Sequence, residues 1–348
     1  MSELRAKPAF RAEAARQRAT AAVKAAWWTA AGAAARRLAR PGEGEDVGFE
    51  SEAPKPPKHA IREAYLEAFR KEREDVAAGL YPALDGPLPG LQTLDRLLDL
   101  LNDARAVDAR RRRRGGVEAR AEAPSDAYPA YYRQNFHYQS GGWFTADSAR
   151  RYEAQVEALF AGTAAAMRRR ALALLARALR ERDQRGLTIL DAACGAGAML
   201  GDLRGAFPRA RVLGLDLSAA YLEEARRRSG APAVQGNCER LPFADASLDA
   251  VTCVYLFHEL PPKVRPVVAA ELARVLKPGG VLALADSVQA HDAPQFRRML
   301  EAFPAYFHEP YYDSYQATDV PALFADAGVR LAGSDKAFLT KAWLFQKA

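Results

Sequence analysis

Residues 189–199 read ILDAACGAGAM, and the fold follows from how this stretch changes character. Apolar Leu187, Ile189 and Leu190 end in an acid, Asp191, and the chain then breaks into small residues around Gly195 and Gly197. A helix-like segment follows. Strand, glycine turn and helix in that order begin a nucleotide-binding α/β sheet, in which the turn brings backbone amides to the ligand. The glycine spacing excludes a dinucleotide fingerprint. That motif needs a third glycine to seat the helix on the strand. Counted from Gly195 and Gly197 it falls on Leu200, and Gly201 is one residue late. A carboxylate at the strand end also sits badly beside a pyrophosphate. It suits a ligand with a cationic group, or one with an amine and hydroxyls to donate.

Asp191-x-x-Cys194-Gly195-x-Gly197 after a strand resembles the first motif of the class I S-adenosylmethionine-dependent methyltransferases. The resemblance runs from about residue 185 to the C-terminus. It implies an α/β, Rossmann-like seven-stranded sheet, and S-adenosylmethionine as cofactor, with its ammonium and sulfonium groups. The family often has glycine where this chain has Ala193, so the turn there is expected to be more crowded. Residues 211–215 read as the second strand, ending at Asp216, 25 residues after Asp191. Such folds place a ribose-binding carboxylate near that spacing. Leu217 would then lie against the adenine, and Ser218 caps the next helix. The alternative for Asp216 is a strand-end turn residue. Residues 236–243, GNCERLPF, resemble the family's third motif, with Asn237 in place of its acid. The Asn237 carbonyl can still accept from the adenine amino group. Cys238 is expected at the adenine edge; a reactive thiol would need a basic partner, and none is visible nearby.

Residues 247–254 form the expected fourth strand and run into YLFHEL, 255–260. Related enzymes carry a histidine-containing stretch here, at the carboxyl edge of the sheet where open α/β folds bind ligands. Tyr255 is assigned to the cofactor and His258 to proton abstraction from the acceptor, the alternative being a helix-capping histidine. RVLKPGG, 274–280, leads into a fifth strand at 281–285, and 329–334 with 337–345 read as a closing hairpin. Between them lies an aromatic cluster, FPAYFHEPYYDSY at 303–315. It falls where the class inserts its substrate element, so His308, Glu309, Tyr311 and Tyr312 are candidates to shape the acceptor pocket.

A second aromatic segment precedes the sheet: PSDAYPAYYRQNFHYQSGGWFTA, 124–146. Read functionally it is a lid carrying Tyr131, Tyr132, Asn135, His137 and Trp143, with Tyr132, Asn135 and Trp143 assigned to the acceptor pocket and His137 a second candidate base. Read structurally it is a loop packing its rings against the domain. Ser148 is positioned to cap a long helix after it. His137, His258, His308 and Glu309 have metal-ligating side chains, but they come from three separate segments without ligand spacing, so no metal is expected.

The chain divides into residues 1–58, an Ala/Arg-rich segment and linker open to disorder or targeting; 59–123, a helical extension; 124–184, lid and leading helix; and 185–348, the S-adenosylmethionine-binding domain. Residues 59–78 place Ile61, Tyr65, Leu66 and Phe69 at helical spacing, and 91–101 read as another helix. The first forty residues resemble either an amphipathic helix or a transit peptide, weakened as the latter by Glu3 and Glu13.

At 348 residues and 49% hydrophobic content the chain can bury a sizeable core. Three cysteines argue against a disulfide framework and for a reducing compartment, hence a cytoplasmic location unless residues 1–40 direct the chain to a plastid or other organelle. No apolar run reaches membrane-span length. The net charge of +7 raises the possibility of a nucleic-acid partner. Its excess lies mostly outside the motifs, in arginine runs at 168–170 and 226–228, read as solvated helix faces, and at 110–114, read as a flexible linker. The expected function is therefore methyl transfer to a small molecule, without a stable nucleic-acid partner. A nucleic-acid or protein methyltransferase, or an inactive cofactor-binding module, are the alternatives. The C-terminal part looks most like the type 11 and ubiquinone/menaquinone methyltransferases, which makes an aromatic or prenyl-lipid acceptor the natural first candidate.

Overall fold

The computed structural model describes residues 8–39, 49–84 and 91–348, and the statements below concern these residues. Seven strands among them form one sheet: β1 Thr188–Ala192, β2 Arg211–Asp216, β3 Ala233–Gln235, β4 Leu248–Val254, β5 Leu276–Ser287, β6 Val329–Ala337 and β7 Thr340–Lys347. Their order is β3-β2-β1-β4-β5-β7-β6, with β7 antiparallel to both neighbours and the rest parallel. The order reverses between β1 and β4, and that switch point opens a crevice beyond the carboxyl ends of the strands.

The helices are α1 Pro8–Ala39, α2 Lys58–Ala77, α3 Leu91–Arg113, α4 Ala146–Leu159, α5 Ala164–Ala178, α6 Ala198–Ala206, α7 Ala219–Ser229, α8 Arg265–Val275, α9 Arg297–Tyr306, α10 Tyr312–Gln316 and α11 Val320–Asp326. Both sheet faces are covered, which is why its strands are almost continuously apolar. On one face Ile189, Val212, Ala250 and Ala283 meet Leu172 and Leu175 of α5, Leu203 of α6 and Leu222 of α7. On the other, Leu190, Leu213, Val251 and Leu284 meet Val268 and Leu272 of α8 and Phe324 of α11. Trp343 and Phe345 of β7 are fully buried on this second face. Burying side chains of this size contributes about 1.5–3 kcal/mol each.

The sequence expectations hold for the sheet and its hairpin, with boundaries moved by a few residues. Four details differ. The helix expected to be capped by Ser148 starts at Ala146, and Thr145 caps it by accepting from the Ser148 amide at 3.3 Å. The run Arg110–Arg113 is not a flexible linker but the last turn of α3, where cations complement the helix dipole. Arg110 also donates to the Tyr138 carbonyl at 3.0 Å and to Ser140 Oγ at 2.8 Å. The run 168–170 is not a solvated face: all three arginines are buried between α5 and its neighbours. Arg169 donates to Asp202 and Glu72, and Arg170 lies 2.7 Å from Asp75 of α2 and 3.4 Å from Asp335 of β6. Leu66, finally, lies on the exposed side of α2, while Tyr65 and Phe69 pack inward. The 226–228 run is exposed as expected.

The N-terminal helices join the same body. Trp28 of α1 is buried against Leu100 of α3 and Ala154 and Ala158 of α4, and α2 lies along α5. The linker expected at the end of the 1–58 segment, read from its Pro, Gly and acidic residues at 42–57, falls partly outside the described residues, at 42–48. No helix among the described residues is long and apolar enough to cross a membrane.

Two glycines of the first turn make different demands. Gly197 has φ +81°, and a Cβ there would stand 2.7 Å from the Ala225 Cα of α7, a backbone atom that cannot step aside. Gly195 has φ +53° with open space around the missing Cβ. Gly197→Ala should therefore destabilise the fold by about 2–4 kcal/mol and Gly195→Ala by only about 1 kcal/mol. Chemical denaturation midpoints check this ordering; equal midpoints for the two variants would refute it.

Candidate active site

Three strand ends supply the first cavity. In β1, Asp191 stands in register with Thr252 of β4. Thr252 Oγ1 donates to Asp191 Oδ1 at 2.7 Å, while Asp191 Oδ2 is buried with no hydrogen-bond partner. Burial pushes the Asp191 carboxyl up to about 7, against the Thr252 bond and the charge of Arg168. At the end of β2, Asp216 accepts from the Gly195 and Ser218 amides, both at 2.8 Å, and so ties the first turn to the second strand. Ser218 caps α7 by accepting from the Tyr221 amide at 3.1 Å. Ala193 has φ +57°, the left-handed region that glycine occupies without strain, which gives the expected crowding its physical form.

Asp191, Ala193, Gly195, Asp216, Leu217, Asn237, Cys238 and Tyr255 all line this cavity. Gly197 does not; it serves the helix crossing instead. Asn237 departs from expectation in one respect. Its Oδ1 accepts from the Glu239 amide at 2.9 Å and its Nδ2 donates to Glu239 Oε1 at 3.1 Å, so the side chain is already engaged in its own turn. Burial pushes the Cys238 thiol up to about 12, and Cys194 and Cys253 are likewise buried and raised, so none is poised as a thiolate.

The lid segment contributes both rings and framework. Tyr131, Tyr132, Phe136 and Trp143 line the cavity together with Tyr152 of α4 and Tyr221 of α7. Trp143 meets the Tyr221 ring edge-on at 5.2 Å. Asn135, expected in the substrate pocket, instead braces the loop: its Oδ1 accepts from the Ala119 amide at 2.7 Å and its Nδ2 donates to the Gln139 carbonyl at 2.8 Å. Gln139 Nε2 in turn donates to Tyr221 Oη at 2.9 Å. The polar residues thus fix the loop while the aromatic ones face inward.

A second, largely apolar cavity adjoins the first. Phe160, Met299, Leu300, Phe303 and Leu339 line it with His137, His258 and Tyr312, and Tyr152, Val156 and Tyr255 line both cavities. His258 sits in the single 3-10 turn Phe257–Glu259 and caps no helix, since α8 starts at Arg265 after Val264. Its Nδ1 is 2.6 Å from Asp286 Oδ1, and Asp286 Oδ2 accepts from the Phe257 amide at 2.8 Å. Burial alone would lower the His258 pKa, but the charge and hydrogen bond of Asp286, with Glu309 and Glu259, hold it up to about 10. The Asp286 contact thus favours the imidazolium, which donates at rest and acts as a base only after that proton has left.

The acceptor-pocket candidates separate on inspection. Tyr312 lines the second cavity and its Oη lies 2.7 Å from Ser287 Oγ. His308 and Tyr311 line neither cavity: His308 Nε2 pairs with Gln134 Oε1 at 2.8 Å, and the Tyr311 carbonyl accepts from Arg265 at 2.8 Å. Glu309 is fully buried, with its Oε1 2.7 Å from His137 Nε2. Three of the four metal-ligating side chains, although from separate segments without ligand spacing, are brought together by the fold. His137, His258 and Glu309, joined by Glu259 in place of His308, bring one ligand atom each within 4.8 Å of one another. Asp286, Glu259, Tyr152 and Tyr221 were not anticipated from sequence. Glu259 adjoins a named histidine, but the others belong to distant elements that only the fold brings in.

With this geometry in place, likeness to known proteins has a context. The family model described as a methyltransferase domain matches residues 189–280. The chain is 37% identical over 125 residues to the fatty-acid O-methyltransferase of Mycolicibacterium smegmatis, covering 35% of this chain and 45% of that protein. It is 28% identical over 179 residues to a probable methyltransferase of Aspergillus luteorubrus, covering 46% and 63%. It is 37% identical over 101 residues to the demethylmenaquinone methyltransferase of Deinococcus radiodurans, covering 28% and 41%. In each case it spans less than two-thirds of the relative's length. Among solved structures, magnesium protoporphyrin IX methyltransferase from Synechocystis is similar with a TM-score of 0.41 at 17% identity, covering 51% of this chain and 82% of that one. From the strand-end motifs, the sheet order and the family match together, the chain carries a class I S-adenosylmethionine-dependent methyltransferase domain.

Proposed function

We propose that the whole chain transfers a methyl group from S-adenosylmethionine to a small, largely apolar molecule with one protic head. The observation that carries this reading is the pair of cavities sharing Tyr152, Val156 and Tyr255: one is edged by strand-end carboxylates, the other by hydrocarbon and histidine. The first fits the cofactor. Asp191 Oδ2, buried and unpartnered, suits an ammonium group, and Asp216 keeps lone pairs for ribose hydroxyls beyond those that accept from the two amides. When bound, S-adenosylmethionine supplies a methyl carbon made electrophilic by its sulfonium. The chain's own part is placement and exclusion of water. Leu300, Met299 and Phe303 would hold the acceptor's apolar body, and Tyr152 and Tyr255 would face the methyl region, where their rings also favour a cation. His258, held by Asp286, would handle the acceptor's proton at Nε2; as an imidazolium it would steady an ionised head by a charge-assisted hydrogen bond. His137 lines the same cavity and would share that task. The named activities of the Mycolicibacterium and Deinococcus relatives are consistent with acceptors of this kind.

Asp216→Ala should weaken S-adenosylmethionine binding by about a hundredfold or more, because a charged acceptor of two hydrogen bonds is lost. Asp216→Asn, which keeps one acceptor oxygen, should lose less. Calorimetry giving near-parental affinity for the alanine variant would remove Asp216 from the site. Cofactor affinity should also depend on pH through Asp191. With its pKa at about 7 in the free protein, binding that needs the carboxylate nears full strength about one pH unit above that value and weakens as pH falls through it. The expected loss is about tenfold from pH 8 to pH 6, and Asp191→Asn should flatten the profile; a parental profile already flat would overturn the assignment. His258→Ala should lower turnover far more than cofactor affinity. A screen for S-adenosylhomocysteine release over fatty acids, phenols and quinols measures this, and an unchanged rate with the true acceptor would reduce His258 to a framework residue.

A further inference from the structure

Between the two cavities four side chains from three separate stretches of chain converge. His137 comes from the lid, His258 and Glu259 from the turn after β4, and Glu309 from the segment between α9 and α10. Their ligand atoms lie within 4.8 Å of one another. His137, His258 and Glu309 are buried, and Glu309 is only 3% exposed. Neither His137 Nε2 nor either Glu309 oxygen has a hydrogen bond of acceptable geometry, although Nε2 and Oε1 stand 2.7 Å apart. Buried polar atoms are almost always satisfied, and such a group left without a bond costs about 1–3 kcal/mol. Three buried atoms without a hydrogen bond, beside the ligand atoms of His258 and Glu259, suit a partner that takes an electron pair from each.

We propose that His137, His258, Glu259 and Glu309 bind a divalent first-row transition-metal ion. Two imidazole nitrogens and two carboxylate oxygens are the donor set such ions take, and two carboxylates balance a dication. The surroundings agree with this in two independent ways. Metal-bound histidines characteristically donate their other ring nitrogen to a carboxylate, and His258 Nδ1 is held by Asp286 at 2.6 Å; the ion would take the place of the Nε2 proton, which is released on binding, and would then hold the acceptor's head in place of that N–H. His137 has φ +55° and its neighbour Tyr138 φ +53°, an unfavourable backbone for both that turns the lid inward at this point. His258 Nε2 and Glu259 Oε1 are 4.0 Å apart, wider than the ~3.4 Å edge of a tetrahedral site with ordinary metal–nitrogen distances. Binding therefore draws the side chains together. The ion would lie where the acceptor's head meets the cofactor cavity. Resting on the methyltransferase reading only for this role, it would hold and acidify that head as a Lewis acid.

Co(II) is the probe, added to the full-length chain after removal of metals with a chelator. One Co(II) should bind per chain, with the visible d–d absorption of a nitrogen–oxygen site. Glu309→Gln and His137→Asn should each weaken it by about a hundredfold, and Asp286→Asn by about 10- to 100-fold through the orientation of His258. Circular dichroism of each variant, matched to the parent, excludes unfolding as the cause. An unchanged spectrum of the parent chain in Co(II) excess overturns the proposal, as does binding that survives both ligand substitutions. S-adenosylmethionine affinity is read on the same samples. Cofactor binding without Co(II) binding sinks the ion alone; Co(II) binding without cofactor affinity supports the ion and sinks the methyltransferase reading of the whole chain.

Discussion

The pairing of β1 between β2 and β4 is the constraint on which the rest of the molecule depends. Leu190 stands opposite Leu213 on one side and Val251 on the other, and Asp191 opposite Gly214 and Thr252. Because side chains alternate across a strand, a slip of one residue would exchange the buried faces of β1 and carry Asp191 off the sheet edge. The same register delivers the Thr252 hydroxyl to Asp191 and leaves the second carboxylate oxygen facing the crevice. At Gly214, neighbouring side chains press close: a Cβ would meet Cys194 Sγ at 2.8 Å. The turn after β1 is thus packed directly on β2, and the Asp216 carboxylate closes that contact through the Gly195 amide.

Above this edge the site is assembled by elements remote in sequence. The lid precedes the sheet, yet Gln139 and Ser148 reach Tyr221 of α7, and Trp143 accepts from Ser218 through its carbonyl. Arg265 of α8 gathers the other side, donating to the carbonyls of Phe257 and Tyr311 and to Ser314 and Thr318. One buried guanidinium therefore fixes the turn that carries His258 relative to the segment that carries Glu309. Such hydrogen-bonded frameworks hold reacting groups more closely than hydrophobic packing alone.

What was legible in the sequence divides along the same line. The strand–turn–helix at residue 189, the acids at 191 and 216 and the closing hairpin were readable because each is encoded in contiguous residues with a fixed local geometry. Most cofactor-facing positions followed from them. The acceptor side was readable only as composition. Aromatic density pointed to the right two segments, but within them His308, Tyr311 and Asn135 turned out to bind the framework, while His137 and Glu309 met each other across 172 residues of chain. Side-chain direction there is set by tertiary packing and by left-handed backbone at 137 and 138, which no periodicity announces. The arginine run at 168–170 was misread for a related reason. Its partners Glu72, Asp75, Asp202 and Asp335 are spread through the chain, so the run looked unpaired and therefore solvated.

Those arginines bear on where the packed unit begins. The match to the methyltransferase-domain model begins at residue 189, after α5 and everything before it. Yet α5 covers one face of the sheet, and its Arg170 is bound to Asp75 of α2 and Asp335 of β6, joining an early helix to the final hairpin. Removing one partner of a buried ion pair leaves the other charge stranded at about 3–5 kcal/mol, a sizeable part of a domain's total stability. The apparent extension is thus an internal wall of the same body. A fragment cut at the motif boundary would expose a sheet face and an uncompensated acid together. The boundary of the family match thus falls inside one packed body that extends back at least to α2.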